Sequence, residues 1–163
     1  LSLLSDLNPV ALSGTRTITP MLTLNGTALP GLIEAEVTNA SHFTADTFRA
    51  VLAVSALPAQ YGPAYWAQSV NDKVGISVTT STEAATQLIL AQVDDIEYEP
   101  FNRQIILTGR DLSAPLIDTK TAEKFVNQTA SQIAQTLAQR HGLDGSMIQA
   151  TTTKAGSYYT TDH

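Results

Sequence analysis

At Gly109-Arg110-Asp111 the period of the apolar residues changes, and that change limits what the chain can fold into. Before it, apolar and polar residues alternate, the period of a strand buried on one face. Val74, Ile76 and Val78 do so in "KVGISVTT", and Ile33, Ala35 and Val37 in "LIEAEVT". After it, Ala130, Ile133, Ala134, Leu137 and Ala138 fall at i, i+3, i+4, i+7 and i+8, one helical stripe. The chain is expected to be α+β and β-dominated. A small antiparallel β-barrel comes first, followed by a helix packed on it and a further strand.

The punctuation supports this reading. Asn25-Gly26 between two short apolar runs is a two-residue hairpin signal, because both positions need positive φ. In "TFRAVLAVSAL" Phe48, Ala50, Leu52 and Val54 share one face, while Val51 and Ala53 make the other apolar too, so this strand is covered on both sides. "ALPAQYGPAYWAQSV" is a loop whose Tyr61, Tyr65 and Trp66 close one end of the core. The alternation of "QLILAQVDDIEYE" slips near Gln92, as at a bulge. About six strands result, joined mostly by hairpins. Residues 1–18 read as an irregular arm, 19–110 as the barrel, and 111–163 as a helical segment plus the start of a next β segment.

Beyond Gly109, Asp111 is placed to cap a short turn, "LSAPLID", with Leu112 and Leu116 inward. Thr129 and Gln132 form a T-x-x-Q capping box for the main helix. Arg140 and His141 sit in its last turn, where the dipole favours cations, and Gly142 follows as a C′ residue. "SMIQATTT" reads as one more strand.

Composition excludes several functions. Nine Lys and Arg against fifteen Asp and Glu give a net charge of −6, with no basic cluster for nucleic-acid phosphates or anionic lipid. No apolar run is long enough to span a bilayer. With no cysteine, disulfides, zinc-thiolate sites and thiol nucleophiles are ruled out in this chain. His42, His141 and His163 lie far apart, and no metal or cofactor motif joins them. Asp94, Asp95, Glu97 and Glu99 crowd one stretch. A glycosidase needs two carboxyls across a sugar bond, whereas Asp95, Glu97 and Glu99 on one strand make a wet acidic face. Adjacent Asp94 and Asp95 on a strand point to opposite faces, which is poor for calcium. Asp111 with Ser113 reads as a helix cap in preference to a catalytic pair. Asp118 can pin the loop through Arg110 or Lys120.

The order of the elements carries a resemblance. "PMLTLNG" leads to "LIEAEVT", then to "ILAQVDDIEYEPFNRQIILTGRDLSAPLID" and "NQTASQIAQTLAQRHGL". Gly109-Arg110-Asp111-Leu112, Asp118 and Asn127-x-Thr129 ahead of Ile133, Leu137 and Gly142 are its most specific part. This set resembles the phage late control D family, the baseplate hub proteins of long-tailed phages, and the hub part of type VI spike proteins. The resemblance covers most of residues 20–160, with Phe125 where a Trp is common. It implies a virion structural protein of the tail baseplate, assembled in the bacterial host cytoplasm, and not an enzyme. It implies a homotrimeric ring that joins a hexameric tail tube, or distal tail protein, to a trimeric spike, with no cofactor. The family's greater length and the missing initiator Met point to a piece of a longer hub protein.

On that reading Gly109 lets the barrel strand turn sharply, and Arg110 and Asp111 fix its exit. Leu137→Asp is then expected to prevent folding. Two alternatives remain. Tyr61, Tyr65 and Trp66 on an exposed loop could stack on sugar rings, making a carbohydrate-binding module of a tail tip. Asp94, Asp95 or Glu97 could serve a glycan hydrolase.

Overall fold

The computed structural model describes residues 17–41, 44–80, 83–154 and 159–160. The arm expected over 1–18 lies outside them, apart from Thr17 and Ile18. His42 and His163 also lie outside.

Seven strands form one antiparallel sheet: β1 (Ile18–Leu24), β2 (Thr27–Leu29), β3 (Leu32–Thr38), β4 (Thr47–Ala53), β5 (Lys73–Thr80), β6 (Glu83–Glu99) and β7 (Gln104–Asp111). Their order across the sheet is β2-β1-β5-β6-β7-β4-β3. Asn25 and Gly26, at φ 50° and 82°, make the turn between β1 and β2. The sheet curls until β1 and β3 come within 8 Å between Cα atoms. No ladder joins those two among the described strands, so the barrel is partly open.

The inward residues form one core. Leu22, Leu24, Leu52, Ile76, Ile105 and Leu107 are its largest fully buried side chains, each stabilising by about 1.5–3 kcal/mol. Alternation places them correctly except where a bulge intervenes. The register shifts between Leu32 and Glu34. That shift turns Ile33 outward, 55% exposed, against the inward position expected for it.

The strands are not a simple meander. β4 lies beside β7, whereas the next strand, β5, lies beside β1. The chain must therefore cross the sheet between Ala53 and Lys73. It does so in two 3-10 turns, Val54–Ala56 and Ala59–Tyr61, and helix α1 (Pro63–Gln68), where a plain loop was expected. Pro63 opens α1, a position where its missing N–H costs nothing.

After β7 come α2 (Ala114–Asp118), the two-residue strand β8 (Lys124–Phe125), α3 (Ala130–Arg140) and β9 (Tyr159–Thr160), which pairs with β8. At the start of α3, Thr129 Oγ1 accepts from Gln132 N–H, and Gln132 Oε1 accepts from Thr129 N–H. At its end Gly142 adopts φ 68°, with Gly142 N–H on Gln139 O and Leu143 N–H on Ala138 O, a Schellman motif.

Two expectations fail here. No strand forms over 146–153. Asp144 instead holds Ser146 through its backbone N–H and hydroxyl, and Thr151 exchanges hydrogen bonds with Ser131 at 3.0 and 3.1 Å. The helix also buries a different set of residues from the expected stripe. Its buried residues are Ser131, Ile133 and Ala138, while Ala130 and Ala134 are exposed and Leu137 is half-buried. Ile133 and Ala138 lie outside the core cluster of the sheet. The helix is anchored on its flanking chain, through Thr151, a Thr129–Lys154 bridge and the Arg140–Glu123 ion pair. A charge at half-buried Leu137 keeps a route to water, so Leu137→Asp should cost only about 1–2 kcal/mol, and Ile133→Asp about 3–4 kcal/mol. Urea titration of both variants checks the ranking. Equal losses would mean that the stripe is buried along its whole length.

Candidate functional site

Among the described residues, three places gather polar and aromatic groups that could act: the aromatic end of the barrel, the β7–α2 junction, and the acidic face of β6.

At the barrel end, Tyr61, Tyr65 and Trp66 pack on one another. Tyr65 meets Tyr61 edge-on at 5.0 Å and Trp66 edge-on at 5.1 Å. Trp66 is 6% exposed, and its Nε1–H donates to Tyr61 O at 2.8 Å. Both tyrosines pack against the main core. Trp66 is buried and both tyrosines are half-buried, so the three rings spend much of their surface on one another and on the core.

Beneath them sits Asp72, a buried carboxylate that sequence reasoning did not single out. Asn25 Nδ2 donates to Oδ1 at 2.6 Å, Tyr65 O–H donates to Oδ2 at 2.8 Å, and Ser69 O–H donates to Oδ2 as well. Val93 N–H donates to the Asp72 backbone carbonyl at 2.9 Å. Asn25 completes the joint, its Oδ1 accepting from Lys73 N–H at 2.9 Å. The carboxylate thus fastens the β1–β2 hairpin to the crossover, and the backbone carbonyl of the same residue ties both to β6. Burial alone would raise its pKa, but the hydrogen bonds from Ser69, Asn25 and Tyr65 outweigh that and hold it below the ordinary value. The Tyr65 hydroxyl is pushed up to about 12, first by burial and then by Asp72. Asp72 was invisible because Asn25 lies 47 residues away in sequence.

At the junction the structure changes the roles assigned to Gly109 and Asp111. Gly109 lies within β7, paired with Phe48 on β4 and Val93 on β6. Its φ is not in the left-handed region, so it makes no sharp turn. What it supplies is space. β6 bulges between Val93 and Asp95, and an added Cβ at Gly109 would lie 2.0 Å from Gln92 O and 2.8 Å from Phe48 Cε1. Asp111 ends β7 and does not cap α2, whose N-cap is Ser113 without a side-chain cap bond. Asp111 Oδ1 accepts instead from Ser113 N–H at 2.9 Å and Ser113 O–H at 2.6 Å, a local Asx turn.

Arg110 reaches both ways from the junction. Its Nε donates to Asp94 Oδ2 at 2.8 Å, and its Nη1 to Asp118 Oδ2 at 2.8 Å. It therefore ties the β6 bulge to α2. The hydrogen bonds from Arg110 to Asp94 and then Asp118 raise its already high pKa further. All three side chains are well exposed, so each pair contributes under about 1 kcal/mol.

The same bulge rearranges the acidic stretch. Asp94 and Asp95 were expected on opposite faces, yet both are exposed, because Asp94 is the extra residue. Glu97 is exposed on the same strand, and half-buried Glu99 accepts from Asn102. Among the described residues no group of three or more His, Asp or Glu side chains converges as metal ligands. His141 serves as the C-cap residue of α3.

The polar groups at these places fasten strands to loops, and the fold they serve is a curled antiparallel scaffold around one core. No family model matches the chain, and no curated protein matches it. Among solved structures, a 43 kDa tail protein of prophage MuSo2 from Shewanella oneidensis shares the fold with TM-score 0.55 and 18% identity. The likeness covers 86% of this chain and 44% of that one. A tail protein from Neisseria meningitidis shares it with TM-score 0.52 and 14% identity, over 76% of this chain and 34% of that one. The chain thus spans less than half of either neighbour.

Proposed function

We propose that this chain is a structural domain of a bacteriophage-like tail. On the finer reading it is a baseplate hub domain of the late control D type. Copies of it form a trimeric ring that joins a hexameric tail tube to a trimeric spike, in a particle assembled in the host cytoplasm. The observation that carries the reading is a fold shared over 86% of the chain with a prophage tail protein. The ordered residues from Gly109 to Gly142 support the finer family, and Gly109, Arg110 and Asp118 act within the chain as a structural joint. The reading needs no catalytic step.

The test is the protein composition of purified tail particles. The full-length protein is expected there at three copies per particle. Its absence from intact particles would overturn the proposal. No observation favours the sugar-binding alternative, since the three aromatic rings are turned onto one another.

A further inference from the structure

β6 runs past its neighbour. β7 pairs with it from Glu99 back to Ala91 and ends at Asp111, while β6 continues to Glu83 alongside β5 alone. Along residues 84–90 the edge turned away from β5 has no partner among the described strands. Beyond the end of β7 that edge borders a groove. Leu88, Leu90 and Leu112 line it with apolar surface, and Asp46 and Asp111 line it with carboxylates. Leu88 is the extra residue where the register of β5 and β6 shifts, and such a bulge re-aims its side chain. Leu88 and Leu90 are 45% and 43% exposed.

Both carboxylates lack a counter-ion. Asp46 Oδ1 accepts from Ala40 N–H at 2.7 Å, and Asp111 Oδ1 takes both bonds from Ser113. Oδ2 of each has no hydrogen-bond or ion-pair partner among the described residues. Arg110, next to Asp111 in sequence, is paired with Asp94 and Asp118 instead. An unpaired strand edge is a template for an added strand. The groove beside this edge states what the added strand carries: apolar side chains for the leucines and a cation for the two carboxylates. A second copy of this chain, with net charge −6, fits them poorly.

We propose that the groove binds an extended segment of another protein, one that carries apolar side chains and at least one Lys or Arg. Its backbone pairs with β6 beyond the end of β7. Its apolar side chains cover Leu88, Leu90 and Leu112, and its cation meets Asp46 and Asp111. This contact needs no ring and stands apart from the hub reading.

The test uses the full-length protein and a short fluorescein-labelled peptide of alternating valine and lysine, followed by anisotropy. The lysine peptide is expected to bind at least about tenfold more tightly than the same peptide with glutamate for lysine. Methylating one alternate set of its backbone nitrogens should abolish binding, and methylating the other set should not. Asp46→Asn with Asp111→Asn should remove the preference for lysine with the melting curve unchanged, because asparagine keeps the acceptor and loses the charge. A preference that survives in that double variant would be attraction to the chain's overall charge, and overturns the site. Binding indifferent to both methylations overturns strand pairing, and no binding overturns the proposal. Binding that appears only after residues 1–16 are deleted means that the chain fills its own groove. Copies of the protein that associate and are separated by the peptide mean that a second copy fills it. Either result overturns an outside partner.

Discussion

Gly109→Ala is expected to abolish the native fold or to cost about 4 kcal/mol or more. The added Cβ would lie 2.0 Å from the backbone oxygen of Gln92 and 2.8 Å from the Phe48 ring. A flexible side chain could move aside, but here a carbonyl of the central β6 strand stands in the way. Relief requires β6 and β7 to part along the stretch where both lie against the core. Alanine has no difficulty with the backbone angles of a strand, so the loss would come from lack of space alone. Gly26→Ala is the control. No atom lies within 4 Å of an added Cβ there, and only its φ of 82° opposes the change, at a cost of about 1–2 kcal/mol. Urea unfolding of both variants decides. A Gly109→Ala variant as stable as wild type would mean that the bulge is not pressed against β7.

Asp72→Ala is expected to cost about 3 kcal/mol, because it leaves the donors of Asn25, Tyr65 and Ser69 without their acceptor in a half-buried place. The effect should depend on pH, and the sign follows from the direction of the shift. The folded-state pKa of Asp72 lies below its unfolded value of about 3.9. Its contribution is therefore complete above that value and is lost as pH falls through the folded value. The urea midpoint should drop as acid is added below about pH 4, and Asp72→Asn should flatten that part of the curve. At the alkaline end, Tyr65 titrates near 12 in the folded chain and near 10 when unfolded. Its contribution is complete below about 10 and is lost as pH rises toward the folded value. An acid limb unchanged in Asp72→Asn would show that the network does not bear on stability.

The strands were legible because one-sided burial imposes a period of two, which β7 and the first half of β5 show most plainly. α3 was legible from its stripe, its Thr129–Gln132 box and Gly142. The pairing order was not legible. Whether β4 neighbours β5 or β7 depends on contacts that leave no local mark, and the crossover through Tyr61, Tyr65 and Trp66 follows from that order. The stripe of α3 misplaced part of its buried face, because Ser131 is covered by Thr151, 20 residues on, which no local pattern marks. Bulges displaced Ile33 and Asp94 by breaking the alternation that predicted them. Gly109 stood out in sequence, yet its reason, a carbonyl on the neighbouring strand β6, needed the fold. Asp72 looked like an ordinary turn residue until Asn25 and Tyr65 met it.

The most direct test of a tail-hub scaffold is electron microscopy of the purified full-length protein, with its native mass measured on the same sample. A ring of three copies with an open bore and a near six-fold outline is the predicted result. A protein that stays monomeric and forms no ring, alone or with tube and spike proteins added, would contradict the account.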